Sequence, residues 1–398
     1  MPASRGHSSN LGLAMSKTFE FNSVASIRVA RGGARELAGL IGRLACQRVL
    51  IVSDPGVIGA GLLDAALDSL ATDEIPFRVF SEVEADPSAA VIQAAVASAA
   101  EFAADCVVGF GGGSSMDVAK LVALLATGDQ KLEDVYGVNQ AQGKRLPLLL
   151  VPTTAGTGSE VTPISIVTTG EGEKKGVVSP LLYPEIALLD AELTCGLPPH
   201  ITAATGIDAM VHAIEAYTGR IHKNPISDFF AREALRLLSG AIHLACADGQ
   251  ALKAREDMLI GACLAGAAFA NSPVAAVHAL AYPVGAQFKV PHGLSNALLL
   301  PHVARFNLEA VEDAYSELFR IICPGSSGSV QQQAGGLLDY LQALPGELGL
   351  PTRLRQVGIT EQHVPALVQD AMNQTRLLVN NPREVTAEAA ARLYLEAL

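Results

Sequence analysis

The chain has 398 residues, of which 49% are hydrophobic and 17% charged, with a formal net charge of −12. So much apolar material in so long a chain calls for two cores and excludes extensive disorder. The acidic balance speaks against nucleic acid or an anionic membrane as partner, and no apolar run reaches the roughly 18 residues of a membrane span.

Residues 1–16 lack the continuous apolar core of a signal peptide and read as a loose extension, with Met15 as an alternative start. From about Thr18 to Leu193, short apolar runs alternate with helical patterns. Strands are expected over Arg48–Ser53, Phe77–Val83, Cys106–Phe110, Pro147–Pro152 and Ile186–Asp190. Helices are expected over Gly61–Leu70, Ser88–Phe102 and Ser115–Thr127. Ile164–Thr169 and Gly176–Ser179 flank a turn and predict a hairpin. Such alternation implies a parallel sheet covered on both faces. After Leu197-Pro-Pro199 helical periodicity dominates to the end of the sequence. The organisation expected is therefore an extension (1–16), an α/β Rossmann-like domain (17–197) and an all-α domain (198–398). Six widely spaced cysteines form no CxxC pair, which argues for free thiols in a reducing cytoplasm.

Gly111-Gly-Gly-Ser-Ser-Met-Asp117 lies between a buried strand and a helix. Its glycines let backbone amides approach a pyrophosphate, and the helix N-terminus adds a positive dipole. A plain tight turn is the alternative. The spacing differs from GxGxxG, and the loop follows the third strand rather than the first. Asp54, at the end of the first strand, can accept hydrogen bonds from ribose hydroxyls and repel a 2′-phosphate; by itself it is also an ordinary turn or cap residue. Pro152-Thr-Thr-Ala-Gly-Thr-Gly-Ser-Glu160 is a second small-residue loop after a strand.

In Gly206-Ile-Asp-Ala-Met-Val-His-Ala-Ile-Glu-Ala216, Asp208 and His212 stand four apart and share a helix face. Buried in apolar surroundings, they either pair with each other or hold a cation together. His278 falls in an apolar helix expected over Val274–Tyr282, and His292 in a loop over Val290–Gly293. One acid and three imidazoles form a set suited to a borderline divalent ion with a position left for substrate. His7, His222 and His363 read as surface residues.

GGGSSMDVAK at 111–120, PTTAGTGSEVT at 152–162, GIDAMVHAIEAY at 206–217, HALAYPVGAQFKVPHGLSNALLLPHV at 278–303 and NNPREVT at 380–386 together resemble the iron-containing (group III) alcohol dehydrogenases. The resemblance runs from about Phe19 to the C-terminus. It implies an N-terminal Rossmann-like domain and an all-α C-terminal domain, together a dehydroquinate synthase-like architecture, with a cleft between them. By position it implies Asp208, His212, His278 and His292 as metal ligands, with Gly112, Gly113 and Ser114 at the pyrophosphate. Asp117, Thr153, Thr154 and Thr162 would meet other cofactor atoms, Lys175 would approach the nucleotide, and Asp54 would favour NAD over NADP. Asp86 stands where many relatives carry Asn. Many members place a second histidine four residues beyond His278 as a proton relay; here that position is Tyr282, a weaker base near neutrality.

The activity implied is hydride transfer between a small alcohol, or its aldehyde, and nicotinamide, assisted by a divalent ion as Lewis acid. Fe²⁺ follows from the resemblance, while the ligand chemistry suits Zn²⁺ or Ni²⁺ as well. Maleylacetate reduction, hydroxyacid oxidation and a dehydroquinate synthase-like lyase are the alternatives, and a homodimer is the assembly the resemblance implies. Phe269 and Val274 are candidates for the substrate pocket.

Overall fold

The structure, a computed structural model, describes residues 18–170 and 174–398. The extension predicted over 1–16, with Met15 and His7, lies outside the described residues. The first half of the chain runs β1 (Ser26–Val29), α1 (Leu37–Arg43), β2 (Val49–Val52), α2 (Pro55–Gly59), α3 (Asp64–Thr72), β3 (Phe77–Phe80), α4 (Ala89–Phe102), β4 (Cys106–Gly111) and α5 (Gly113–Leu125). It continues through β5 (Gly137–Val138), β6 (Leu148–Pro152), β7 (Ile164–Thr168), β8 (Lys174–Val178) and β9 (Ile186–Leu189).

Six strands form one sheet in the order β1-β9-β6-β4-β2-β3, parallel throughout. The Val-Leu-Ile-Val run of β2 is buried at every position, as a strand covered on both faces must be. One face packs Leu37, Ile41 and Leu70; the other packs Ile92, Met116 and Leu121. From β2 the chain first moves outward to β3 and then returns through α4 to β4 on the opposite side of β2. Ligands of open parallel sheets bind at such a reversal, beyond the carboxyl ends of the strands. Asp54 follows β2 and Gly111 ends β4, so both stand at this point.

The predicted hairpin forms as β7 and β8, antiparallel, with β5 beside β8. The helix expected over 61–70 forms as α3, and the short α2, which was not expected, precedes it with Gly61 at φ 68° between them. β1 was not expected from the sequence. It is a four-residue edge strand whose apolar Ile27 and Val29 face outward, so its burial pattern carries no core signal.

The second half is helical: α6 (Pro199–Thr218), α7 (Pro225–Ala247), α8 (Leu252–Asn271), α9 (Ala276–Phe288), α10 (His292–Ile322), α11 (Val330–Glu347), α12 (Val364–Met372), α13 (Thr375–Leu378) and α14 (Ala387–Ala397). α6 is buried along almost its whole length, packed by α7, α8 and α10. Among the described residues no single helix is long and apolar enough to cross a membrane. His292 does not lie in a loop, as its Pro-His-Gly context implied. Pro291 (φ −53°, ψ 141°) occupies the N-cap position and His292 opens α10, which kinks at Val311 (φ −139°, ψ 28°). The proline that reads as loop punctuation starts a helix instead.

Two close approaches fix the site, the first within the helical half and the second between the halves. A Cβ on Gly293 would lie 2.4 Å from the Ala204 carbonyl oxygen of α6, and one on Gly158 would lie 2.5 Å from the Gly266 Cα of α8. Only glycine permits either backbone contact. The first fixes the start of α10 against α6. The second fixes the threonine-rich loop after β6 against α8.

Candidate metal and dinucleotide site

Asp208 and His212 are one turn apart on α6, His278 lies on α9 and His292 at the head of α10. One ligand atom from each lies within 4.8 Å of all the others. The three Nε2 atoms stand 4.0 Å (His212), 3.8 Å (His278) and 3.5 Å (His292) from the same oxygen, Asp208 Oδ1. Bonds of about 2.1 Å in tetrahedral geometry require ligand separations of roughly 3.4 Å, so the set needs little adjustment to close on a cation.

The chemistry of the donors fits as well. His278 Nδ1 donates to Glu215 Oε2 at 2.7 Å, so its proton sits there and Nε2 presents a lone pair. Burial holds the His212 imidazole down to about 3 and also lowers that of His292, which keeps both neutral and able to ligate near pH 7. The His212 ring is stacked between Phe269 at 4.3 Å and His278 at 4.7 Å. Asn296 Nδ2 donates to Asp208 Oδ1 at 2.6 Å and lies 3.2 and 3.3 Å from Nε2 of His278 and His292. These residues therefore suit a divalent ion, with nitrogen and oxygen donors and no thiolate.

A cleft opens beside this cluster. His212, His278, His292, Tyr282, Phe269 and Val274 line it from the helical half, and Gly113, Ser114, Asp117, Thr162 and Asp86 from the sheet half. A groove continuous with it carries Asp54, Gly112, Gly113, Ser114 and Ser115. Asp54 caps α2 by accepting from Val57 N at 3.0 Å, and its other oxygen accepts from Ser115 Oγ at 3.0 Å. The turn, the start of α5 and the carboxylate thus form one surface.

Two family models match the chain: "Iron-containing alcohol dehydrogenase" over residues 25–191 and "Fe-containing alcohol dehydrogenase family, C-terminal" over residues 202–398. The chain belongs to the iron-containing alcohol dehydrogenase family. It is 38% identical to Long-chain-alcohol dehydrogenase 1 of Geobacillus thermodenitrificans, with 93% of this chain and 94% of the relative covered. It is 35% identical to Sulfoacetaldehyde reductase of Bilophila wadsworthia, covering 95% and 98%. A crystal structure of 1,3-propanediol oxidoreductase superposes with a TM-score of 0.93 at 31% identity, covering 96% of this chain and 100% of that one. As a member of this family the protein is a metal- and NAD-dependent oxidoreductase of the alcohol dehydrogenase type.

Within this family frame, most residues singled out from the sequence gather at the cleft and its groove. Several carry structural duties too. Asp117, whose burial pushes its carboxyl up, accepts from Ser159 Oγ at 2.7 Å and from Ile166 N at 2.9 Å. Thr162 Oγ1 accepts from buried Lys120 Nζ at 3.1 Å. Thr153 donates its backbone N–H to the Gly111 carbonyl, and Thr154 Oγ1 lies 3.8 Å from where a Gly112 Cβ would be.

Lys175 is placed otherwise. Its ammonium lies over the Tyr136 ring, 5.7 Å from the centroid, and it lines a separate cavity. Lys174 lines the cleft instead and pairs with Asp86. Successive residues of a strand face opposite ways, so a register error of one exchanges the two lysines. Tyr282 lines the cleft, its ring edge-on to His278 at 6.3 Å and tilted to His292 at 5.9 Å. Burial pushes its phenol up to about 12. Glu215, Asn296, Thr157 and Arg376 were not singled out from the sequence, yet each touches the cluster or the cleft.

Proposed function

We propose that this protein reduces small aldehydes with NADH and oxidises the matching alcohols with NAD⁺, with Asp208, His212, His278 and His292 holding the metal. The convergence of three imidazole nitrogens on Asp208 Oδ1 beside the glycine-loop cleft supports this reading above all else. When bound, the divalent ion supplies a Lewis acid for the substrate oxygen, and the nicotinamide supplies or accepts the hydride. The chain's own part is placement. Residues 17–197 act as the dinucleotide-binding domain and 198–398 as the metal-binding domain, with substrate held between them.

Gly112, Gly113 and Ser114 receive the pyrophosphate at the N-terminus of α5, where free N–H groups and the helix dipole meet negative charge. Tyr282, with its phenol raised to about 12, stays protonated near neutrality and serves as a hydrogen-bond donor in the cleft rather than as a base. Phe269 and Val274 supply apolar wall. We propose further that the enzyme works in the cytoplasm as a homodimer. Free cysteines support the first, and the outward apolar residues Ile27 and Val29 on edge strand β1 support the second.

The protein reloaded separately with Fe²⁺, Zn²⁺ and Ni²⁺ is expected to consume NADH, followed at 340 nm, with members of a C2–C8 aldehyde panel. No metal-dependent turnover across the panel overturns the reading. The Asp54→Asn variant keeps an oxygen to cap α2 but removes the charge facing the nucleotide groove. Its NADP⁺/NAD⁺ ratio of kcat/KM is expected to rise about tenfold or more, equivalent to roughly 1.4 kcal/mol of removed repulsion. An unchanged ratio would take Asp54 out of cofactor selection.

A further inference from the structure

Arg376 lies on α13 and lines the cleft together with Tyr282 and Leu377. It is exposed, and among the described residues no acceptor lies within reach of its guanidinium; its carbonyl accepts from Asn380 Nδ2. The other charges lining the cleft are matched. Lys174 is paired with Asp86, and Asp117 is held by Ser159, the Ile166 amide and Lys120 Nζ at 3.9 Å. One positive charge is left over.

The nucleotide phosphates do not account for it. The groove carrying Asp54 and the glycine loop is lined by residues 54–55, 82–85 and 112–115, and Arg376 is not among them. Arg376 stands instead near Tyr282, whose phenol its charge helps to lower against the larger effect of burial. Tyr282 in turn is one helical turn beyond His278. Arg376 lines both the cleft and the cavity beside β8, its Nη2 3.8 Å from where a Gly176 Cβ would lie, and so borders the part of the cleft open to a substrate whose reacting oxygen is at the metal cluster. A guanidinium presents a planar fork of N–H donors that fits a carboxylate or sulfonate in two-point contact.

We propose that Arg376 is a specificity residue, selecting aldehydes and alcohols that carry a carboxylate or sulfonate at the end remote from the reacting carbon. This rests on the dehydrogenase reading above, deepened to a substrate class. An uncharged alkyl chain leaves the guanidinium to water, whereas an anionic terminus exchanges that water for charge-assisted hydrogen bonds.

The test compares kcat/KM for sulfoacetaldehyde and succinate semialdehyde with that for propanal and pentanal, in the wild type and in Arg376→Gln and Arg376→Lys. The ratio of charged to uncharged substrate is expected to fall about 30-fold in Arg376→Gln, chiefly through KM, with Arg376→Lys in between. A ratio that changes less than threefold overturns the proposal. A second measurement needs no turnover: calorimetric titration of the metal-loaded protein with butyrate and with ethanesulfonate. Arg376→Gln is expected to weaken binding of these anions by a similar factor; absent binding by the wild type, or equal binding by the variant, overturns the proposal. Anion binding that depends on Arg376, with no aldehyde turned over, leaves this site standing and removes the reductase reading instead.

Discussion

Purified His212→Ala protein is expected to retain less than about one tenth of the wild-type metal and to lose at least about 1000-fold in kcat/KM for aldehyde reduction. His212 is one of four donors, and an ion left with three ligands in a site built for four binds far more weakly. Lewis-acid polarisation contributes several kcal/mol, and about 4 kcal/mol corresponds to a thousandfold in rate. The His212 side chain also stacks between Phe269 and His278, so truncation opens a gap in a tightly packed region. Asp208→Asn provides the more conservative companion. It keeps the shape of the side chain while removing the anionic oxygen on which all three Nε2 atoms converge, and a similar loss of metal is expected. The nucleotide loop belongs to the other half of the chain, so both variants are expected to enhance NADH fluorescence on binding as the wild type does. Metal content equal to the wild type, with activity within tenfold, would remove these residues from the ligand set.

Parts of this site are legible in the sequence because local geometry alone dictates them. Asp208 and His212 share a helix face at any tertiary arrangement, and a triple glycine between a buried strand and a helix has few uses. The parallel sheet follows equally directly from apolar runs such as Val49–Val52, which leave no face for water. What long-range packing decides was less visible. His292 belongs to α10 because Pro291 adopts a cap conformation there, and Pro-His-Gly is equally at home in a loop. Lys174 and Lys175 are exchanged by a register of one, which the sequence leaves open at the hairpin. β1 turns its two apolar residues outward and so mimics no buried strand. Asn296 reaches the ligands only because Gly293 lets α10 begin against the Ala204 carbonyl.

Glu215 carries a positional signal in the sequence: it stands seven residues after Asp208 and three after His212, on the same face of α6. It is buried, and its two oxygens accept three hydrogen bonds, from Ala275 N at 2.9 Å, Val277 N at 2.7 Å and His278 Nδ1 at 2.7 Å. One carboxylate thereby ties down the first turn of α9 and sets the proton of His278 on the nitrogen away from the cluster. Gln in its place cannot satisfy all three donors. In either orientation of the amide, its NH₂ group confronts at least one N–H, and the carboxylate behind His278 Nδ1 is gone. Glu215→Gln is therefore expected to lower metal affinity by about 10- to 100-fold, measured by chelator competition. The buried donor left without an acceptor should also lower stability by roughly 1–3 kcal/mol. Excess metal separates the two effects: activity lost through weak metal binding returns at saturating metal, whereas activity lost through a displaced α9 does not. Recovery to within a few-fold of the wild type is expected. Metal affinity within threefold of the wild type would leave Glu215 with a purely structural role, and His278 would then owe its orientation to packing against its neighbours, stacked on His212 and edge-on to Tyr282.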